Sequence, residues 1–468
     1  MVSDARVVIA APASGHGKTT VATGLLAALR RRGVDVAPFK VGPDYIDPGY
    51  HRLAAGRPGR NLDPVLVGDE RIGPLFTHGR ADADLSVVEG VMGLFDGRIG
   101  AGPADGPAIG STAHVAGLLD APVVLVVDVT GQGQSIAALL HGFRSYQPGV
   151  RIGGVILNRV GSDRHEEVLR EASEAAGLPV LGALRRTSGL EVPSRHLGLV
   201  TVAEHGAAAR EAVESMADAV ESGVDLDAVQ HVARAAPGFS CPAWDPSTEV
   251  TRQVSRPVVA VAGGPAFTFG YTEHPELLSS AGADVVVVDP LRDTTLPERT
   301  AGLVLPGGFP EQHAGSLSAN TALREEIAAF AAAGGPVHAE CGGLLYLAEE
   351  LDGHPLCGVI PAWARMSSTL TLGYRDAVAV SNSPLFAEGQ RISGHEFHRT
   401  VLDPGHGESA AWRWRRDGVV AEGFVCGGVH ASYLHTHPAG HPEAIGRFVR
   451  YCAEFATGDS ARSRSEAG

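Results

Sequence analysis

An apolar run, Arg6–Ala10, leads into Ala11-Pro12-Ala13-Ser14-Gly15-His16-Gly17-Lys18-Thr19-Thr20 and from there into a helix-forming stretch, Lys18–Arg32. A buried strand that enters a glycine-rich turn and leaves it as a helix starts a βαβ unit. Such units build a mostly parallel sheet with helices on its faces. The alternation continues, with strands predicted at Val36–Val41, Leu85–Glu89, Val123–Asp128 and Gly154–Asn158 and an amphipathic helix at Glu166–Ala176. It dissolves over 222–256, where the text APGFSCPAWDPSTEVTRQVSRP is rich in proline and serine. It resumes with strands at Val258–Ala262, Asp284–Asp289, Gly302–Leu305 and Pro336–Ala339. The 468 residues therefore read as two α/β domains, 1–221 and 257–454, joined by a linker at 222–256 and followed by a disordered tail at 455–468.

The first loop carries phosphate chemistry. Backbone N–H groups of Ser14, Gly15, His16 and Gly17 are expected to face phosphate oxygens. Lys18 reaches the β- and γ-phosphates, Thr19 offers its hydroxyl to Mg²⁺, and Thr20 opens the helix. Pro12 stands where the usual pattern has its first glycine. Two further strands deliver polar loops to the same carboxyl edge, where ligands of parallel sheets bind. One is Phe39-Lys40-Val41-Gly42-Pro43-Asp44-Tyr45-Ile46-Asp47-Pro48-Gly49-Tyr50-His51; the other is Glu89-Gly90-Val91-Met92-Gly93-Leu94-Phe95-Asp96-Gly97. Singly, Asp44, Asp47, Glu89 and Asp96 are as well explained as caps or turn residues; together, beside a phosphate loop, they read as a site for ATP with Mg²⁺.

The second half holds a nucleophile. In His338-Ala339-Glu340-Cys341-Gly342-Gly343-Leu344 a strand turns sharply into a helix, with cysteine where an elbow places its nucleophile. A helix start is expected to lower the thiol pKa, and the N–H of Gly342 to face an oxyanion. Leu305-Pro306-Gly307-Gly308-Phe309 ends another strand with a glycine pair and offers a second donor, from Gly308. The segment His430-Ala431-Ser432-Tyr433-Leu434-His435-Thr436-His437 supplies candidate bases.

Composition narrows the partners. A net charge of −15 argues against nucleic acid and anionic membranes, and no window is apolar enough to span a bilayer. The opening residues read as a strand rather than a signal peptide. Cys241, Cys341, Cys357, Cys426 and Cys452 are odd in number and scattered, which fits a reducing, cytoplasmic setting without disulfides. Among 38 basic residues only Lys18 and Lys40 are lysines, so each is a candidate for a chemical role.

Taken in order, APASGHGKTT, FKVGPDYIDPGYH, VVEGVMGLFDG, LPGGFPE, AECGGLLYL and HASYLHTH resemble the cobyrinic and hydrogenobyrinic acid a,c-diamide synthase family, over nearly the whole chain. The first half is similar to dethiobiotin-synthetase-like P-loop ATPases and the second to class I glutamine amidotransferases, both doubly wound. The resemblance implies ATP-dependent amidation of two carboxylates of a corrinoid polycarboxylate, with L-glutamine as nitrogen donor, through acyl phosphates. It implies Cys341 as glutaminase nucleophile, His435 as its base, and Gly308 and Gly342 as oxyanion donors. It also implies Lys18 and Thr19 at the phosphates and Mg²⁺, and Asp44, Asp47 and Glu89 at the synthetase site; from their loops, Thr20 and Lys40 are further candidates at ATP, Asp44 and Glu89 at Mg²⁺, and Tyr45 and Asp96 around the synthetase site. Class I domains carry His-x-Glu after the base, and here His437 stands at the Glu position. The segment Gly394-His395-Glu396-Phe397-His398 also recurs in the family, as strand edge or ligand contact. A homodimer is left open, as are two other functions: a,c-diamide synthesis on another tetrapyrrole such as nickel-sirohydrochlorin, and a ParA/MinD-like switch with a degenerate amidotransferase domain.

Overall fold

Seven short strands form the first sheet, and most are runs of Val, Ile, Leu and Ala, apolar on both sides as a strand covered on both faces must be. They are β1 (Arg6–Ala10), β2 (Val36–Val41), β3 (Arg60–Leu62), β4 (Leu85–Glu89), β5 (Val123–Asp128), β6 (Ile152–Val160) and β7 (Val180–Arg185). The order is β3-β2-β4-β1-β5-β6-β7, and every pairing is parallel. In this computed structural model residues 4–99, 106–186, 194–195, 198–199 and 201–458 are described, and the chain divides into two units between Trp244 and Asp245. In the first unit, β1 lies between β4 and β5, so the chain leaves it in the middle of the sheet, where strand order reverses and a crevice opens.

Helices α1 (Lys18–Arg31) and α2 (Asp47–Ala55) follow β1 and β2. Helix α3 (Val202–Gly223) packs on α1 so closely that a Cβ on Gly24 would lie 2.6 Å from the Met216 carbonyl oxygen. Where a linker is expected at 222–256, the chain instead forms helix α4 (Leu226–Arg234) and stays with the first unit as far as Trp244. Asp225 caps α4 by accepting from the N–H groups of Asp227 and Ala228, and Leu226, Val229, Gln230 and Ala233 bury one face. The proline- and serine-rich text that suggested a linker begins only after Ala235.

The second unit repeats the principle with β8 (Val258–Ala262), β9 (Asp284–Val288), β10 (Thr300–Leu305) and β11 (Val337–Glu340). The next strands are β12 (Ile360–Ala379), β13 (Arg391–Asp403), β14 (Phe424–Cys426) and β15 (Val429–Ser432). The main sheet runs β9-β8-β10-β11-β15-β14, parallel except for β14 against β15. Helix α5 (Gly342–Leu347) follows β11. The long antiparallel pair β12–β13 anchors a second sheet that the sequence reading did not anticipate. Its signature is the alternation of buried Ile360, Ala362 and Ala364 with exposed Pro361, Trp363 and Arg365. The expected disordered tail at 455 starts inside the last helix, Pro442–Thr457, which Gly458 caps; 459–468 lie outside the described residues. Among the described residues no helix is long and apolar enough to cross a membrane.

Gly24→Val should force α1 away from α3 and destabilise the first unit by about 1–3 kcal/mol. Urea unfolding followed by tryptophan and circular dichroism signals would show it, and an unchanged midpoint would refute the close approach.

Candidate functional site

In the first unit the phosphate loop is held from behind by two neighbouring strand ends. Asn158, on β6, donates from Nδ2 to the His16 carbonyl at 2.8 Å, and the Asp128 N–H at the end of β5 donates to His16 Nδ1 at 2.9 Å. Burial lowers the His16 pKa, which keeps the ring neutral and able to accept that bond. Gly17 has φ 95°, and a Cβ there would lie 2.2 Å from Asn158 Nδ2, so only glycine fits the turn. Ser14 and Gly15 are exposed at its tip, and Thr20 is half-buried in the first turn of α1. The Lys18 ammonium folds back onto the carbonyls of Ala13 and Met92. Burial and the charge of Lys40 pull it down to about 8.

Beside the loop lies a buried charge cluster. Lys40 on β2 is in register with Glu89 on β4, which is in turn in register with Ile9 on β1. The Lys40 ammonium donates to Asp47 Oδ2 at 2.6 Å, to Glu89 Oε1 at 2.8 Å and to the Gly90 carbonyl at 3.2 Å. Thr19 Oγ1 lies 2.7 Å from Glu89 Oε1 and 3.2 Å from Asp47 Oδ2, and His51 Nε2 lies 2.7 Å from Glu89 Oε2. Burial opposes charge on Lys40, but Asp47, Glu89 and Asp44 outweigh it and raise its pKa. Burial likewise opposes charge on Glu89, where Lys40 and His51 prevail and lower the pKa. Asp47 goes the other way: burial, Asp44 and Glu89 hold its carboxyl well above the usual range. Lys40 thus pairs with an ionised Glu89, while Asp47 holds its proton more readily than a free carboxyl.

Asp47, rather than the expected Asp44, is the carboxylate beside Thr19. Asp44 Oδ1 instead accepts from the N–H groups of Ile46 and Asp47 at 2.9 Å each and sets the start of α2. Asn61 pins the same loop by donating to the carbonyls of Gly42 and Asp44. Tyr45 is buried in it. Asp96 accepts from the Gly93 N–H at 2.8 Å and so shapes the turn after β4. His51 was missed in the sequence, although it stands one helical turn beyond Asp47 on α2. The donors that meet here are all oxygen, and among the described residues no group of three His, Cys, Asp or Glu forms a ready-made metal cage. Two carboxyl groups with a hydroxyl, and few protein ligands, fit Mg²⁺ brought in on a nucleotide.

In the second unit β11 ends at Glu340, and Cys341 turns at φ 46°, ψ −98° before α5. Such a backbone is strained for cysteine and holds the buried side chain at the bend between strand and helix. The Cys341 N–H donates to the Ser432 carbonyl at 2.7 Å, tying the bend to the end of β15. A Cβ on Gly342 would lie 2.8 Å from Gly308 N, and one on Gly307 would lie 2.4 Å from His435 Cε1. Those approaches bring the cysteine bend, the glycine pair after β10 and the His435 ring into one place. The thiol faces the Phe397 carbonyl of β13 at 3.9 Å, which gives the recurring GHEFH segment a place in the wall. The His395 N–H donates to the His435 carbonyl and the His435 N–H to the His395 carbonyl, each at 2.9 Å. Next to Phe397, Glu396 pairs with buried Arg375 at 2.5 Å.

The expected low thiol pKa is not met. Burial pushes the Cys341 thiol up, Glu311 adds to it, and the Gly342 N–H only partly offsets them. His437 does not join His435: its Nδ1 accepts from the Ala439 N–H at 3.2 Å, and its ring lies 4.1 Å from that of Tyr271. The carboxylate nearest the base is Glu340, which sequence reasoning passed over. Its Oε2 lies 3.5 Å from His435 Nδ1.

The chain matches two family models: the CobQ/CobB/MinD/ParA nucleotide binding domain over 7–200 and the CobB/CobQ-like glutamine amidotransferase domain over 258–442. It is 60% identical over 451 residues to the hydrogenobyrinate a,c-diamide synthase of Mycobacterium tuberculosis, covering 96% of this chain and 98% of that protein. It is 56% identical over 477 residues to the protein of the same name in Streptomyces coelicolor, covering 96% and 97%. Identity to the cobyrinate a,c-diamide synthase of Syntrophotalea carbinolica is 44% over 464 residues, covering 96% and 98%.

A triphosphate placed on the loop should raise the Lys18 pKa from about 8, so binding at pH 8 takes up a proton. Calorimetry in buffers of different ionisation enthalpy should read an uptake on the order of half a proton. Lys18→Arg, with a permanent charge, should abolish that uptake, and an unchanged uptake would place the titrating group elsewhere.

Proposed function

We propose that this chain, which belongs to the hydrogenobyrinate and cobyrinate a,c-diamide synthase family, uses ATP and L-glutamine to convert the a and c side-chain carboxylates of a corrinoid into amides in cobalamin biosynthesis. Its relatives at 60% and 56% identity are named for hydrogenobyrinate, which favours the metal-free corrinoid as substrate. The observation that supports the reading is that one chain gathers two residue sets suited to the two half-reactions. Lys18, Thr19, Asp47 and Glu89 stand at the phosphate loop, and Cys341, Gly308, Gly342 and His435 meet at the cysteine bend.

A carboxylate resists attack by ammonia because its charge and resonance oppose the nucleophile. In the synthetase half, a corrinoid carboxylate oxygen takes the γ-phosphoryl group from ATP and ADP leaves, giving an acyl phosphate with a good leaving group. Lys18 neutralises phosphate charge as the β–γ bond breaks, and the fixed loop holds the nucleotide in line. Mg²⁺ would be held by the Thr19 hydroxyl with Asp47 and Glu89, and supplies further charge neutralisation at the phosphates. Lys40 and His51 keep Glu89 ionised for that purpose.

In the glutaminase half, the Cys341 proton passes to His435 and the sulfur attacks the glutamine amide carbon. The N–H groups of Gly308 and Gly342 stabilise the oxyanion, and ammonia leaves with the returned proton. Water then cleaves the thioester to glutamate. Ammonia displaces phosphate from the acyl phosphate to give the amide. A chain with five free cysteines and an ATP-dependent reaction belongs in the cytoplasm.

Cys341→Ser should lose amidation supported by glutamine and keep amidation supported by high ammonium. Lys18→Ala should lose both. Product mass spectrometry with ATP, glutamine and either hydrogenobyrinic or cobyrinic acid should show two successive decreases of about one mass unit, since each OH is replaced by NH₂ through the acyl phosphate. Glutamine-supported activity in Cys341→Ser, or no mass change with either acid, would overturn the assignment.

A further inference from the structure

Glu340 is the last residue of β11 and the neighbour of the nucleophile. One of its oxygens is fixed by other groups: Oε1 accepts from the Thr436 N–H at 3.1 Å and the Thr436 hydroxyl at 2.9 Å, and lies 3.2 Å from His338 Nε2. The other oxygen, Oε2, faces His435 Nδ1 at 3.5 Å. The His435 ring is fully buried, and its Cε1–Nε2 edge lies against Gly307, in the glycine pair that also shelters Gly342. The Nδ1 corner of the imidazole thus meets a carboxylate, and the adjoining Cε1–Nε2 edge meets the loop beside the cysteine bend.

We propose that Glu340 is the positioning residue of the glutaminase base: it holds His435 by Nδ1–H, leaves Nε2 to accept the Cys341 proton, and stabilises the imidazolium that forms. The carboxylate that class I domains carry two residues after the base is supplied here from beside the nucleophile. The proton moves from Sγ to Nε2, and Glu340 stays ionised throughout. Its carboxyl is suited to that: burial opposes the charge, but the bonds from His338 and His435 hold it well below the usual carboxylate range. The position after the base is taken by His437, which is engaged with Ala439 and Tyr271. This inference rests on the reading of Cys341 and His435 as a glutaminase pair.

The charged and titratable groups facing this centre include His338 and Cys341 from β11 and its bend, His395 and Glu396 from β13, Arg375 from β12, Glu311 from the loop after β10, His430 from β15, Tyr433 just beyond it, and His274 from the helix after β8. None of them changes in Glu340→Gln, which keeps the side-chain size and an acceptor for Thr436. In the full-length chain this variant should lower the glutaminase kcat about 10²-fold or more, the scale of a misplaced general base. The glutamine KM and the ammonium-supported amidation should hold. Glu340→Asp should restore part of the kcat loss, which a residue acting only as a structural brace would not do. A Glu340→Gln kcat within about threefold of the parent, with Cys341→Ser inactive, overturns the role of Glu340 alone. An equal fall in ammonium-supported amidation, or no recovery in Glu340→Asp, overturns it as well, since either marks Glu340 as a brace for the Thr436 turn. Glutamine hydrolysis by Cys341→Ser would instead remove the glutaminase pair on which the inference rests.

Discussion

In a parallel sheet every strand ends at the same edge, so side chains that follow the strands arrive together whatever their distance along the chain. The first unit shows what this permits and what it costs. Thr19, Lys40, Asp47 and Glu89 come from three segments and meet within hydrogen-bond distance. Burying those carboxylates without a cation would be prohibitive, and Lys40, fully enclosed among them, makes the arrangement tolerable. It does so by pairing with Glu89, while burial and the neighbouring carboxylates favour the protonated form of Asp47, a proton that a divalent cation arriving with its nucleotide would displace.

The second unit treats charge in the opposite way. Cys341 rests as a buried neutral thiol facing a carbonyl, and its nucleophilic form is not stored in the ground state. The thiolate has to be created by proton transfer to a ring already held between a carboxylate and a glycine pair. An enzyme that spends glutamine has reason to keep its nucleophile protonated until the amide is in position.

Local patterns announced the frame of both units. The run Arg6–Ala10, the loop before Lys18, the strand ending at Glu89 and the bend at Cys341 each combine apolar periodicity with glycine at fixed offsets, and each was legible. What was not legible depended on contacts distant in sequence. Asp44 and Asp47 are equivalent as letters, and only the start of α2 assigns one to the turn and the other to Thr19. Glu340 reads as the end of a strand until β15 brings Thr436 and His435 against it. Helix α4 was hidden because proline-rich text just beyond it coloured the whole segment. The β12–β13 pair was hidden because its alternation is broken by an irregular stretch between Met366 and Thr371.

The two lysines carry a last consequence. Both are buried and both sit at the nucleotide edge, while the remaining side-chain cations outside histidine are arginines, which neither acylate nor form imines readily. Apart from the terminal amine, the folded surface is nearly inert to amine-directed reagents and to lysine acylation. Lys40 is locked in its protonated form among carboxylates, whereas Lys18, at about 8, is partly deprotonated in mildly alkaline solution. An acylating probe small enough to enter would therefore label one side-chain address besides the terminal amine, and a bound nucleotide would shield it. The scarcity of lysine makes the phosphate loop a built-in occupancy gauge.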